Sequence, residues 1–215
     1  MSKGSVRHLR SGKAREAYDA LLDRLLTSRL VPGQILNRRE VAEELGMSVS
    51  PVLEAMLQLE MEGFLQSIAR KGTQVAPVRQ EAVIGNLVLR EAIECEAARF
   101  SCGARLAAGR ERLLALARSL DETPTDIPVH WEAEVEFHRE LVRLSGIETL
   151  VHEFDRCIKL YTFYGANRLL HAGPRGRRSH VDLLDQLCAA DPDTAARIMR
   201  EHVRSGKEPL VADLP

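Results

Sequence analysis

The sequence predicts a mainly α protein: an N-terminal winged helix-turn-helix followed by an all-helical bundle domain. Three observations carry that expectation. The stretch VAEELGMSVSPVLEAMLQLEMEGFL, residues 41–65, reads as two short helices joined by a tight glycine turn. Directly after it, FLQSIARKGTQVAPV reads as two short extended pieces around a basic turn at Ala69-Arg70-Lys71-Gly72. From Arg79 onward apolar residues recur at helical spacing almost without relief, and the 4% aromatic content suits helices packed through Leu, Ala and Val.

The elements follow in order. From Lys13 to Arg29, Ala17, Leu21 and Leu25, with Tyr18, Leu22 and Leu26, recur at helical spacing, and VPG at 31–33 ends the run. Asn37 is placed to cap a helix over Arg38–Leu45 that stops at Gly46. Ser48 or Ser50 caps a third helix, with Pro51 in its first turn and an end near Gly63. Pro77 closes the small domain, which gives a domain 1–78 and a second domain 79–215. Helices are expected at about 80–107, 109–120, 129–144, 147–170, 178–189 and 192–205. The breaks fall at Gly109, at residues 123–128, at Gly146 and at HAGPRG (171–176), and Asp191-Pro192 forms a cap with a first-turn proline.

Charges nearly balance, 30 basic against 31 acidic, so bulk electrostatics names no partner. Their distribution says more. Residues 1–78 carry 11 Lys/Arg and 9 Asp/Glu, and the first fifteen carry Lys3, Arg7, Arg10, Lys13 and Arg15 with no acid. This is a basic arm on a weakly basic small domain. Cys95, Cys102, Cys157 and Cys188 form no C-x-x-C pair and no disulfide framework. There is no apolar leader and no uninterrupted run of about 18 apolar residues, so the expectation is a soluble cytoplasmic protein with no membrane partner.

Three histidines form the candidate site. His138 lies one turn after Glu134 beside the apolar stripe of Trp131, Val135, Leu141 and Val142. His180 shares a stripe with Leu183, Leu184 and Leu187, and His202 shares one with Ala195, Ile198 and Met199. Any one alone is most simply a core histidine. Three inward imidazoles each need partners for two nitrogens, and one divalent ion supplies a partner to all three. Nitrogen and carboxylate donors suit Zn²⁺, Ni²⁺, Mn²⁺ or Co²⁺. His130, two turns before His138, is a reserve ligand. Arg90, inside the first long helix of the second domain, is a candidate clamp for a small carboxylate, the alternative being a solvated helix arginine paired with Glu94. No H-E-x-x-H or paired E-x-x-H motif and no nucleophile with a base can be argued from spacing, which disfavours an enzyme.

Taken together, LVPGQIL, LNRREVAEELGMSVSPVLEAMLQLEMEGFL, RKGTQV, LREAIECEAA, EVEFHREL and HVDLLDQLCAADPDTAARIMREHV resemble the GntR family of bacterial transcription regulators, in its FadR-like branch. The resemblance runs from about residue 14 to 205. It implies a dimeric, effector-responsive regulator of double-stranded operator DNA. His138, His180 and His202 fall on the family's metal-binding histidines, Glu134 falls where the family usually has aspartate, and Arg90 resembles its carboxylate-binding arginine. The effectors it implies are small organic acids.

The chain departs from that pattern in the reading helix. The family has S-R-x-P-V-R-E-A-L; here its two arginines are Val49 and Leu53. Their loss removes potential guanine contacts, each bidentate pair discriminating by about 1–3 kcal/mol. Val49 can still meet a thymine methyl, and Ser48, Ser50 and Gln58 stay polar, with Gln58 open to facing away from the groove. The expected DNA-binding set is Arg38, Arg39, Ser48, Val49, Ser50, Arg70, Lys71 and Gly72, with the basic residues positioning the backbone. The reading that follows is a metal-containing repressor that senses a small organic acid. Its rival is a non-enzymatic acid- or metal-binding protein whose DNA-reading helix has degenerated.

Overall fold

The computed structural model describes residues 12–122, 127–166 and 179–205. Those residues form, in chain order, α1 (Gly12–Leu26), β1 (Ile35–Leu36), α2 (Arg38–Glu44), α3 (Val49–Met61), β2 (Leu65–Ile68), β3 (Gly72–Val75), α4 (Gln80–Ser101), α5 (Ala104–Asp121), α6 (Ile127–Leu144), α7 (Glu148–Ala166), α8 (His180–Ala189) and α9 (Pro192–Arg204). They cluster into two compact units. One runs to Gln80 and takes in α7 from Lys159; the other is Glu81–Ile158 with α8 and α9. The outermost basic residues Lys3, Arg7 and Arg10, the stretch 123–126 and the HAGPRG break lie outside the described residues.

In the first unit Ala17, Tyr18, Leu21 and Leu25 of the stripe read from sequence are buried, together with Ala14, while Leu22 and Leu26 are half-buried, and α1 packs on α3. Asn37 caps α2 as expected, its side chain accepting from the Arg39 amide at 3.0 Å. Gly46 takes a φ of +62° at the exit, a conformation that costs a Cβ-bearing residue energy. α3 buries Pro51, Val52, Ala55, Met56 and Leu59, the periodic half of its surface. The hairpin is present, with Leu65 opposite Val75 and Ile68 opposite Gly72. Arg70 (φ +64°) and Gly72 (φ +102°) take the left-handed region in its turn, and the Lys71 amide donates to the Ile68 carbonyl at 3.0 Å. A third strand was not expected. β1 pairs antiparallel with β3 to give the order β1-β3-β2, and two residues are too few to display alternation.

The second unit corrects one expected break. α4 stops at Ser101 and turns through Gly103 (φ +72°), while α5 runs uninterrupted through Gly109. A Cβ on Gly109 would meet Leu144 Cδ1 of α6 at 2.9 Å. That glycine marks a close helix approach, not a helix end. Asp191 caps α9 as read, accepting from the Asp193 and Thr194 amides at 3.0 Å each, and Ser179 caps α8.

Cys95 and Cys157 are buried, and burial pushes both thiols up to about 12. At pH 8 neither carries appreciable thiolate. A chromogenic disulfide reagent should therefore modify no more than two thiols in the folded protein, Cys102 and Cys188, and all four once it is unfolded. Rapid native modification of a third would contradict this packing.

Candidate metal centre

α6, α8 and α9 bring the three sequence-predicted histidines together in the second unit. His138, His180 and His202 are 1%, 3% and 7% exposed, and each offers one nitrogen within 4.8 Å of the others. Ring centroids lie 4.9 Å apart for His180 and His202, 5.3 Å for His138 and His202, and 6.1 Å for His138 and His180. Phe137, fully buried, sets its ring edge-on against His180 at 5.1 Å and closes one side with hydrocarbon. The three-histidine cluster does not include His130.

Two of the imidazoles are oriented from behind. Glu94 of α4 accepts from His138 Nδ1 at 2.5 Å, so that ring's proton sits on Nδ1 and its lone pair on Nε2. Asp121, at the end of α5, lies 3.3 Å from His180 Nδ1 and also accepts the His180 amide at 2.8 Å and the Ser179 hydroxyl at 2.5 Å. One carboxylate thus anchors the start of α8 and turns the His180 ring. α9 is tied to α4 through Glu91, which accepts from Arg200 Nε at 3.0 Å and Arg204 Nε at 2.6 Å.

Glu134 of α6 lies against two of the rings, with Oε1 3.5 Å from His138 Nε2 and Oε2 3.0 Å from His180 Nε2. Despite that closeness, Glu134 Oε2, His138 Nε2, His180 Nε2 and His202 Nδ1 are all buried without a hydrogen-bond partner. The approach of Glu134 to His180 has the distance of a hydrogen bond but not its direction. Four orphaned donor atoms in one place are costly unless something satisfies them together.

Electrostatics points the same way. Burial, then the other two imidazoles, pushes His202 down to about 2, so it is neutral and its lone pair is available. Burial alone would lift Glu94, but Arg90 and then His138 pull it down to about 2. Burial likewise opposes ionisation of Glu134, yet the flanking imidazoles hold it well below the usual carboxylate range. Burial disfavours the charged form of His138, and the Glu94 carboxylate outweighs it and raises the ring. Three carboxylates, Glu94, Glu134 and Asp121, lie against the imidazoles, and the Arg90 guanidinium pairs with Glu94. That is a surplus of negative charge that a divalent cation would neutralise. Imidazole nitrogens with one carboxylate are the donor set of a borderline transition ion, so the residues present fit one.

Arg90 is paired with Glu94, but the pair is buried and not solvated. Arg90 is 2% exposed, and its Nε donates to Glu94 Oε1 at 2.5 Å, completing a buried chain Arg90–Glu94–His138. Glu94 and Asp121 were not read as site residues from sequence. Glu94 is visible only as a carboxylate one turn beyond Arg90; Asp121 carries no local signal, since its partners lie 58 to 60 residues downstream.

In the first unit Arg38, Arg39, Ser48, Val49, Ser50, Arg70, Lys71 and Gly72 are all exposed. Gln58 is not available for base reading: its amide donates to Glu62 at 2.7 Å.

Comparison with known proteins bears on both units. Residues 13–75 match the gntR family of bacterial regulatory proteins, and residues 87–205 match the FCD domain. A probable D-xylose utilization operon transcriptional repressor of Paenarthrobacter nicotinovorans is 26% identical over 206 residues, covering 94% of this chain and 91% of its own. The transcriptional repressor RspR of Escherichia coli K12 is 24% identical over 211 residues, covering 90% of this chain and 86% of its own. Among solved structures, Escherichia coli McbR/YncC superposes with a TM-score of 0.64 at 21% identity, covering 95% of this chain and all of its own. That likeness is one of fold.

Proposed function

The chain belongs to the GntR family of bacterial transcription regulators, in the FadR-like branch that joins a winged helix-turn-helix to an FCD domain, and from that premise we propose a metal-containing repressor that senses a small carboxylic acid. The reader is residues 1–78 and the sensor 79–215. The observation that carries the sensing half is the set of four orphaned donor atoms on Glu134, His138, His180 and His202. A bound Zn²⁺, Ni²⁺, Mn²⁺ or Co²⁺ supplies Lewis-acid attraction for a carboxylate. The chain's own residues do the rest. Glu94 and Asp121 hold two rings so that their Nε2 atoms converge, and the Phe137 ring shields His180 on one side. Arg90 adds a cation to the chain that ends on His138, which favours an anion nearby.

The chain acts as a homodimer in the cytoplasm, presenting two reading helices to two half-sites of operator DNA. No helix among the described residues is long and apolar enough to cross a membrane. Repression is relieved when the acid binds the two states of the sensor with different affinity. Exposed Arg38 and Arg39 at the start of α2, and Arg70 and Lys71 in the hairpin turn, supply the phosphate contacts.

The test is a selection from random duplexes at two salt concentrations. One two-fold-symmetric sequence should be enriched at both, and the selected duplex should be released by a small mono- or dicarboxylate. Arg70→Ala and Lys71→Ala should each reduce the slope of log K against log salt by about one and weaken all sequences alike. Folded dimer that enriches nothing would support the rival reading of a sensor with a degenerate DNA reader, which the absence of lysine and arginine from α3 favours.

A further inference from the structure

We infer that α3 selects its operator through the 5-methyl groups of thymines, read by Val49, Leu53 and Leu57. The inference rests on the DNA-binding reading above and specifies what that reading recognises. Five residues of α3 (Pro51, Val52, Ala55, Met56 and Leu59) are committed to the core. The opposite face carries Val49 (41% exposed), Ser50, half-buried Leu53 and Glu54, Leu57 (43% exposed) and Met61 (60% exposed). Val49, Leu53 and Leu57 are each four residues apart and therefore line one side of the helix. The helix contains no lysine or arginine at all.

The base edges in the major groove offer acceptors on guanine, an acceptor and a donor on adenine, a donor on cytosine, and one apolar group, the thymine methyl. Guanine's paired acceptors require a guanidinium or ammonium, and α3 has neither. Adenine's bidentate partner is an amide, and the one amide on α3, Gln58, already donates to Glu62 at 2.7 Å. Ser48 and Ser50 are hydroxyls that accept or donate to any base. Cytosine's donor suits a carboxylate, but Glu54 and Glu60 are half-buried and Glu60 accepts from the Ser67 amide at 2.7 Å. What is most exposed is hydrocarbon, and thymine is the base whose edge rewards it. The charge pattern fits a duplex, not an oily partner: Arg38 and Arg39 precede the apolar row in the chain and Arg70 and Lys71 follow it, all four exposed. Residues four apart on a helix are displaced by roughly 6 Å along the axis. The contacted thymines should therefore lie about two base-pair steps apart, given a 3.4 Å rise per step.

The probe is the duplex selected above, resynthesised with deoxyuridine in place of thymidine. This exchange deletes only the methyl group and keeps the pairing. Losing one contacted methyl should weaken binding about fourfold, the effect of one buried methylene, and full replacement in both half-sites should weaken it by well over tenfold. Val49→Ala and Leu57→Ala change exposed side chains, so the domain should stay folded by circular dichroism. Each variant should become indifferent to deoxyuridine at the position it contacts while staying sensitive at the others. A selected duplex that binds equally tightly with and without its methyl groups overturns thymine reading and leaves operator binding intact. Failure to select any duplex overturns both.

Discussion

Replacing His180 and His202 together with alanine is expected to remove close to one transition ion per chain and to lower the melting temperature of metal-loaded protein by more than the substitutions lower that of the metal-free protein. The two histidines sit on α8 and α9, and His138 sits on α6, so the ligand set joins three helices. An ion bound by the folded form alone adds stability by mass action, about 4 kcal/mol when it is present at a thousand times its dissociation constant. In a chain of this length each kcal/mol shifts the melting temperature by roughly 2–4 °C. Elemental analysis of untagged protein measures the first effect, and melting with and without a chelator measures the second. Equal metal content in the variant and the parent would remove the site. Glu134→Gln should weaken metal retention and not abolish it, because three nitrogen donors remain.

How far this site was legible follows from the physics of each residue. A histidine on a helix betrays its direction by the company it keeps at i±3 and i±4, so His138, His180 and His202 could be placed inward from sequence. Their convergence required only that three amphipathic helices share one core. Glu94 and Asp121 were not legible because their work is done across 44 and 59 residues of chain, where no periodicity operates. Arg90 could be read as a clamp or as the partner of Glu94, and the structure pairs it, buried, with Glu94. Gly109 looked like a helix end because glycine is a poor helix former. The reason for it is the 2.9 Å that separates a Cβ at that position from Leu144, a contact with a helix that follows later in the chain. In the reader, the lack of basic residues on α3 was plain from sequence, but the commitment of Gln58 to Glu62 was not.

Glu94→Ala is expected to be the most damaging single substitution in the sensor. It would leave Arg90, 2% exposed, without the carboxylate its Nε now meets, and it would strip His138 Nδ1 of its acceptor. Removing one partner of a buried pair costs about 3–5 kcal/mol, because the remaining charge stays in a low-dielectric site. For a chain of this size that corresponds to a loss on the order of 10 °C. Arg90→Met combined with Glu94→Leu should recover much of it, since an apolar pair of similar volume carries no desolvation penalty. It should not restore metal affinity, because His138 would still lack the group that fixes its tautomer. The pH dependence has a definite sign. The folded value for Glu94 is depressed from 4.5 to about 2, so the unfolded chain binds the proton first as acid is added. The stability that Glu94 contributes is therefore fully present above about pH 5 and is lost as pH falls from 4.5 towards 2. His202 adds to the loss from a higher starting point, being neutral in the fold down to about 2 but protonated in the unfolded chain below its ordinary 6.5. Melting curves of metal-free parent and Glu94→Leu/Arg90→Met protein between pH 3 and 7 separate the two contributions. The parent should lose more stability than the variant below pH 5, and parallel curves over that range would show that the ion pair does not hold these helices together.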